Sequence, residues 1–312
     1  MGLGEGREEE GHRFDFERAV DLFEGLDDEP TGSERRQPPR PPRRGNVLSG
    51  ETARRIVVAL PWIAFAIAIA VLGGPVFALA MAGIGVLCLR EYFLMTAPLR
   101  PLQPAAYIAV IATIAAAYFG TAFNVLLLAT ASFLLLFFFG VRRHPREGVV
   151  VAMGATLLGA LWIGLPLVHA VLLRELPDHG AALLIDVLVG TFATDTGAYA
   201  TGRMFGAHRI APDLSPNKTI EGLIGGFLIG TMAFWFAGLY QDWLSGVDAL
   251  MIGAAVAAVA PIGDLFASMV KRDLGTKDTG KLFGPHGGVL DRLDAVFFTI
   301  VVGYYLSVQL VY

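Results

Sequence analysis

The chain has 312 residues and a formal net charge of −4 at pH 7, with 54% of its residues hydrophobic and only 17% charged. A soluble domain of this length would carry more charge on its surface, so this composition and a mean hydropathy of +0.58 predict an integral membrane protein. The only cysteine, Cys88, lies in an apolar run, so we expect neither a disulfide framework nor a thiolate metal site.

Residues 1–52 precede the first apolar run and are mostly polar. Residues 31–44 are rich in proline and arginine and do not suit a hydrophobic core. We interpret residues 1–52 as a disordered cytoplasmic tail, with a short surface helix over residues 14–26 as the alternative to a solvated segment there. No signal peptide is visible, so the first span is expected to be an uncleaved anchor. A basic collar suited to anionic headgroups precedes it: Arg40, Arg43, Arg44, Arg54 and Arg55.

Long apolar runs predict an all-α, polytopic fold with about nine transmembrane helices, because a helix needs about 20 apolar residues to cross a bilayer. The runs are residues 56–73, 75–89, 104–120, 121–140, 149–173, 181–200, 223–240, 249–270 and 295–312. We divide them into N-terminal transmembrane helices, residues 53–173, and a C-terminal transmembrane region, residues 174–312, in which the unusual polar residues concentrate.

The distribution of basic residues predicts the orientation. With a cytoplasmic N-terminus, the inner loops are residues 90–100, 141–148, 201–222 and 271–290, and of the 24 Lys and Arg residues only Arg174 lies outside. This asymmetry follows the positive-inside rule. We therefore expect a multi-pass protein of the plasma or inner membrane with its C-terminus outside.

The last inner loop and its flanking spans contain acidic residues at membrane depth. Asp264 lies inside the eighth apolar run, and Asp291 and Asp294 are spaced i, i+3 at the start of the last span. On a helix, Asp264 and Ser268 share a face with Lys271 or Arg272. Carboxylates from neighbouring helices suit a hard cation such as Mg²⁺. Buried salt bridges, with Arg272 and Arg292 as partners, are an equally weighted alternative.

A glycine-rich turn over residues 284–288 precedes the last span. Exposed amide groups of Gly287 and Gly288 at a helix start can bind phosphate, although an ordinary turn has the same pattern. His286 by itself is more often a loop histidine than a catalyst. Four cations of the same loop favour the phosphate interpretation: Lys271, Arg272, Lys277 and Lys281.

The other long inner loop follows a span that contains Asp195. Ser215 and Pro216 have the types expected for an N-cap and first helical residue, which would place Lys218 and Thr219 in the first turn, where they could join a phosphate. Asp195 is open to three roles: a ligand, a base-recognition group or a partner of Arg203.

Three further polar residues receive structural interpretations. Asp186 is expected to be solvated at the outer end of its span, Glu91 to form a surface pair with Arg90, and His169 to be packed or interfacial.

The motif Ser268-x-x-Lys-Arg-x₄-Lys-Asp-x-Gly, followed by Pro-His-Gly-Gly-x-x-Asp-Arg-x-Asp ending at Asp294, resembles the signature of the phosphatidate cytidylyltransferase (CDP-diacylglycerol synthase) family. The segments Asp195-x-Gly-Ala-Tyr and Ser215-Pro-x-Lys-Thr-x-Glu-Gly are similar to that family as well. Together these segments cover the C-terminal half, which is therefore the expected catalytic region. The N-terminal spans match only in being apolar.

The resemblance implies the reaction of CTP with phosphatidate to give CDP-diacylglycerol and pyrophosphate, with Mg²⁺. It implies Asp264 and Asp291 as metal ligands and catalytic residues. The remaining residues that it assigns to catalysis or to binding nucleotide and phosphate are Lys271, Arg272, Lys277, His286, Gly287, Gly288, Ser215, Lys218, Thr219, Ser268, Arg292, Asp195 and Asp294. The resemblance further implies a homodimer and a monovalent cation such as K⁺. No nucleic-acid partner is expected.

Two other functions are compatible with parts of the pattern. A secondary transporter for an anionic solute would explain intramembrane Asp residues, but it predicts similar polar features in both halves, and the first five runs contain almost none. A CTP-dependent polyprenol kinase would use the same nucleotide but release CDP. A CDP-alcohol phosphotransferase is disfavoured because its characteristic residues do not follow Asp291 and Asp294.

Overall fold

In a computed structural model the protein is described over residues 63–144, 146–280 and 287–312. All of these residues belong to one compact unit, Arg44–Tyr312. The tail over residues 1–52, the basic collar, Lys281 and His286 lie outside the described residues, so the interpretations of these parts stay predictions.

The described ranges contain nine α-helices and one β-hairpin. They are α1 (Ile63–Leu72), α2 (Gly74–Met95), α3 (Gln103–Phe119), α4 (Ala122–Arg142), α5 (Val149–Arg174), α6 (Gly180–Phe205), β1 (Arg209–Ala211), β2 (Ser215–Thr219), α7 (Ile220–Gly238), α8 (Gly246–Asp273) and α9 (Leu290–Leu310). A π-helical turn, Ala160–Gly164, interrupts α5.

Seven of the helices, α2 and α4 to α9, are long and apolar enough to cross a membrane. This confirms a helical, multi-pass membrane protein. The helix α3 has 17 residues, which span about 26 Å against a hydrocarbon core of about 30 Å, and α1 has ten described residues. The count of nine spans and the orientation of the termini therefore stay predictions.

The hydrophobic core includes side chains from the first and the last of the described helices. The largest fully buried side chains include Tyr92 of α2, Phe234 of α7 and Phe297 of α9. The Tyr92 hydroxyl donates to the Ala155 carbonyl oxygen at 2.8 Å and its ring meets Trp162 edge-on. The end of α2 is thereby fixed against α5.

The helices α6 and α7 approach each other through small residues. A Cβ atom on Gly226 would lie 2.7 Å from the Thr194 carbonyl oxygen, which leaves no room for a larger residue. Small residues at helix contacts allow backbones to pack closely inside a membrane. This contact fixes the start of α7 and the hairpin before it relative to Asp195 of α6.

One end of the bundle collects the loops predicted to be outer. The guanidinium of Arg174 donates to the carbonyl oxygens of Ala70 and Val71 at the carboxyl end of α1. A cation stabilises this end because the free carbonyl groups of a helix carry partial negative charge. The Tyr312 hydroxyl, at the C-terminus, donates to the Pro177 carbonyl oxygen. The C-terminus therefore lies at the same end of the bundle as Arg174.

The structure tests the interpretations of two polar residues, Asp186 and His169. Asp186 is buried, with 3% exposure, and accepts a hydrogen bond from Gln241 Nε2 at 2.7 Å. The prediction of a solvated Asp186 is wrong, because Gln241 folds back from the loop after α7. His169 is packed as expected, with its ring against Tyr304 and its Nδ1 2.7 Å from the Leu165 carbonyl oxygen.

Candidate active site

The ends of five helices meet opposite Arg174 and Tyr312. They are the carboxyl ends of α2, α6 and α8 and the amino ends of α7 and α9, joined by the hairpin and by residues 274–280. Asp264 lies about 14 Å before the end of α8. Its placement at membrane depth stays a prediction.

The first ion pair of the site joins Lys218 to Asp264. Lys218 projects from β2, and its Nζ lies 2.9 Å from Asp264 Oδ2 and donates to the Pro261 carbonyl oxygen at 3.4 Å. The Ser268 hydroxyl donates to Asp264 Oδ1 at 3.4 Å. The shared helical face of Asp264 and Ser268 is confirmed. The pairing of Asp264 with a lysine 46 positions earlier was not predicted.

The second ion pair joins Lys271 to Asp291. Lys271 Nζ lies 2.9 Å from Asp291 Oδ1, and each side chain is only 12% exposed. The other oxygen, Asp291 Oδ2, accepts the backbone N–H groups of Thr279 and Gly288, both at 2.9 Å. Asp291 therefore joins the end of α8, the following loop and the start of α9.

The glycine-rich turn is partly described. Gly287 has φ +84°, a backbone conformation that favours glycine, and a Cβ atom there would lie 2.8 Å from Asp291 Oδ2. Glycine is therefore required at position 287 for two reasons: the backbone conformation of the turn and the closeness of the Asp291 carboxylate. The phosphate-binding role of Gly287 and Gly288 stays a prediction.

Two further carboxylates lie near the first pair. Asp195 and Asp294 both interact electrostatically with Asp264, and Lys218 and Lys271 are the cations that oppose these charges. A Cβ atom on Gly263 would lie 2.6 Å from the Asp294 carbonyl oxygen, so α8 and α9 are in close contact here. Asp264 therefore lies within electrostatic range of Asp195 and of Asp294.

The hairpin corrects one prediction. Ser215 is not an N-cap: it begins β2, where it pairs with Ala211 of β1, and Thr219 is the N-cap of α7, accepting the Gly222 N–H at 3.1 Å. Proline is allowed in an edge strand as well as at a helix start, so Ser215-Pro216 fits both. Because β2 is extended, Lys218 does not lie in the first turn of α7 and instead reaches Asp264.

The remaining predicted residues surround these pairs. Arg272 donates to the Leu214 carbonyl oxygen of the hairpin at 3.4 Å. Lys277 is exposed on the loop after α8, and Arg292 is exposed in the first turn of α9. The cations seen to pair with Asp264 and Asp291 are Lys218 and Lys271, whereas the sequence suggested Arg272 and Arg292.

Glu91 is a residue of this region that the sequence interpretation missed. It is 6% exposed and accepts hydrogen bonds from Thr279, Val289 and Leu290, so the expected surface pair with Arg90 is wrong. The available signal was an acidic residue just after an apolar run and followed by four further apolar residues. The adjacent arginine gave it an apparent partner.

Of the two predicted metal ligands, Asp264 has the more exposed side chain, 38% against 12% for Asp291. Carboxylate oxygens are the ligands that Mg²⁺ prefers. Asp291 already uses both oxygens for nitrogen donors. Among the described residues, no three His, Cys, Asp or Glu side chains converge closely enough to hold an ion alone. Waters or phosphate oxygens would complete its coordination.

Comparison with known proteins shows the family. The cytidylyltransferase family model matches residues 53–310. This chain belongs to the cytidylyltransferase family. It is therefore an enzyme of the nucleotidyltransferase class, and the match includes the N-terminal helices as well as the charged loops.

Three phosphatidate cytidylyltransferases are among the relatives that are similar to this chain. The phosphatidate cytidylyltransferase of Synechocystis sp. is 32% identical over 295 residues, which cover 82% of this chain and 97% of that protein. The phosphatidate cytidylyltransferase of Haemophilus influenzae is 41% identical over 125 residues, 38% of this chain and 43% of that protein. The phosphatidate cytidylyltransferase of Thermotoga maritima is 42% identical over 134 residues, 41% of this chain and 49% of that protein.

Proposed function

We propose that this protein is a phosphatidate cytidylyltransferase, which forms CDP-diacylglycerol and pyrophosphate from CTP and phosphatidate in phospholipid biosynthesis. The similarity to the Synechocystis enzyme along almost its whole length supports this proposal. The observation that carries it in the structure is the pair of lysine–aspartate bridges at one end of a membrane-spanning bundle, Lys218–Asp264 and Lys271–Asp291.

In the proposed reaction, an oxygen of the lipid phosphate attacks the α-phosphorus of CTP, a new P–O bond forms, and the bond to the β-phosphate breaks. The attacking phosphate monoester is largely ionised at neutral pH, so no strong general base is needed. The requirement is to bring several negative charges together and hold them in line. Lys218, Lys271 and Arg272 supply positive charge for this purpose, with Lys277 and Arg292 at the exposed rim.

Asp264 would hold the divalent cation, with Asp195 and Asp294 as nearby acidic groups, and such a cation neutralises phosphate charge when it is bound. Asp291 as the second ligand, the monovalent cation and the homodimer stay predictions. We assign Lys218 to binding of the nucleotide, since the hairpin places its ammonium group beside Asp264. Thr219 contributes to the nucleotide pocket indirectly, because it caps α7 and so fixes the start of that helix.

The proposed orientation places the site at the cytoplasmic surface of the membrane. Soluble CTP then reaches the charged loops directly, while the acyl chains of phosphatidate stay in the bilayer. The basic residues of the loops around the site support this orientation. It follows that the C-terminus, at the opposite end of the bundle, faces outside.

The test is to incubate the purified protein in detergent with CTP and phosphatidate, with and without a divalent cation. We expect a CDP-lipid only with the cation. A polyprenol kinase would instead phosphorylate a polyprenol and release CDP, so the reaction with a polyprenol is the matched comparison. No conversion of phosphatidate by folded protein, with divalent cations present, would refute the proposal.

A further inference from the structure

The carboxylate of Glu91 is buried at the boundary between the two halves of the chain. Glu91 lies on α2, four residues before the helix ends, and its side chain points towards Thr279 and the start of α9. With 6% exposure, this carboxylate must be satisfied by hydrogen bonds rather than by water.

Its hydrogen bonds hold the start of α9. Val289 N–H donates to Oε1 at 3.0 Å, and Leu290 N–H donates to Oε2 at 2.9 Å. The first N–H groups of a helix have no partner within the helix, and a carboxylate is a favourable acceptor for them. Here the acceptor comes from another helix, 199 positions earlier in the chain.

Glu91 also occupies the space that two motif glycines leave open. A Cβ atom on Gly280 would lie 2.6 Å from Glu91 Oε1, and one on Gly288 would lie 2.2 Å from Oε2. Both glycines belong to the stretches that resemble the family signature, where Gly288 was interpreted as part of a phosphate turn. In the structure their missing side chains make room for the Glu91 carboxylate.

Thr279 links Glu91 to Asp291. Its hydroxyl donates to Glu91 Oε2 at 3.2 Å, while its backbone N–H donates to Asp291 Oδ2 at 2.9 Å. Gly288 N–H also donates to Asp291 Oδ2, next to the N–H groups that Glu91 accepts. The same short segments are therefore held between two carboxylates, and Asp291 in turn holds Lys271.

We propose that Glu91 is a positioning residue for the reaction: it fixes Thr279 and the first turn of α9, and thereby sets the positions of Asp291 and Lys271. Only the measurement of activity depends on the proposed function. Through Glu91, a helix of the N-terminal half helps to position the active site without contacting a substrate.

The main variant is Glu91→Gln, with Glu147→Gln as the matched control because Glu147 is exposed on the loop before α5. Glutamine retains the shape but turns an NH₂ group towards an N–H donor. A small displacement of catalytic groups can cost about 100-fold in rate, so we expect kcat to fall about 10- to 100-fold with a change in KM for CTP below about threefold. The control variant should match the wild type in both constants.

A milder pair of variants keeps the inference testable if Glu91→Gln does not fold. Thr279→Val removes one hydroxyl, whereas Thr279→Ser retains it. Loss of a single hydrogen bond should lower kcat about three- to tenfold for valine, and serine should restore it. A merely structural role would lower the thermal unfolding temperature and leave kcat of the folded protein unchanged for both sites.

Amide hydrogen exchange supplies a measurement that needs no substrate. In Glu91→Gln, or in Thr279→Val if the former does not fold, the N–H groups of residues 288–290 should exchange about tenfold faster than in the wild type, because their bonds to Glu91 and Asp291 are weakened. Unchanged exchange in the folded variant, or wild-type kcat in both variants, would overturn the inference. If the wild type made no CDP-lipid, the proposed function would fail alone, and the exchange experiment would still decide the role of Glu91.

Discussion

Replacement of Asp291 by asparagine should remove most activity and much stability, since it retains the shape of the side chain and removes its charge. The Lys271 Nζ–Asp291 Oδ1 distance is 2.9 Å and both side chains are 12% exposed. At an effective dielectric constant of about 20, the attraction at this distance is about 6 kcal/mol before desolvation is subtracted. Removing one partner of such a buried pair typically costs about 3–5 kcal/mol, because the other charge stays buried.

If about 3 kcal/mol of that loss affects the transition state, kcat/KM for CTP should fall about 100-fold or more. The assay measures CDP-lipid formation by purified variants, together with thermal unfolding in the same detergent. Asp273→Asn is the matched control, because Asp273 is an exposed aspartate at the end of the same helix, α8.

The double variant Lys271→Met with Asp291→Asn separates stability from activity. Removing both charges eliminates the unpaired buried lysine, so the double variant should unfold at a higher temperature than Asp291→Asn alone, yet stay inactive. Wild-type kcat/KM in Asp291→Asn, or no change in its unfolding temperature, would refute the assignment of this pair to the site.

Three other predictions follow from the same structure. Asp264→Asn should abolish turnover, measured as CDP-lipid formation, while membrane fractionation shows that the protein still inserts into the membrane. Full activity of this variant would contradict the assignment of Asp264 to the site. Thr219→Ala should lower the free energy of unfolding by about 1 kcal/mol through loss of the α7 N-cap, measured by denaturation in detergent, and an unchanged value would contradict the cap. A tag after Tyr312 should react with a membrane-impermeant label on intact cells, whereas a cytoplasmic tag would contradict the proposed orientation.

The membrane-spanning helices could be predicted closely from the sequence, because apolar length alone determines them. The apolar run over residues 149–173 became α5, Val149–Arg174, and the run over residues 249–270 became most of α8, Gly246–Asp273. Where length is marginal, as in α3, apolar length alone does not decide whether the helix crosses the membrane.

The charged residues of the site could be listed from the sequence, but not their pairing. The residues Lys218 and Asp264 are far apart in the chain, and only the hairpin brings them to 2.9 Å. Ser215 and Pro216 were misassigned because the same pair suits an edge strand and a helix start.

Buried acidic residues were misinterpreted for a similar reason. Glu91 and Asp186 each have partners from distant parts of the chain: Thr279, Val289 and Leu290 for Glu91, and Gln241 for Asp186. Local sequence offered only Arg90 beside Glu91 and a nearby loop beside Asp186. Tertiary contacts decide the surroundings of such residues, and these contacts are not encoded in short-range spacing.

The most direct test of the proposed reaction is to follow both ends of the triphosphate of CTP. Purified wild-type protein would be given phosphatidate, a divalent cation and CTP that carries distinct labels on the α- and γ-phosphorus. We expect the α-label to appear in the lipid and the γ-label in pyrophosphate, in equal amounts. The γ-label in a lipid, with the α-label in CDP, would contradict attack at the α-phosphorus and with it the proposed function.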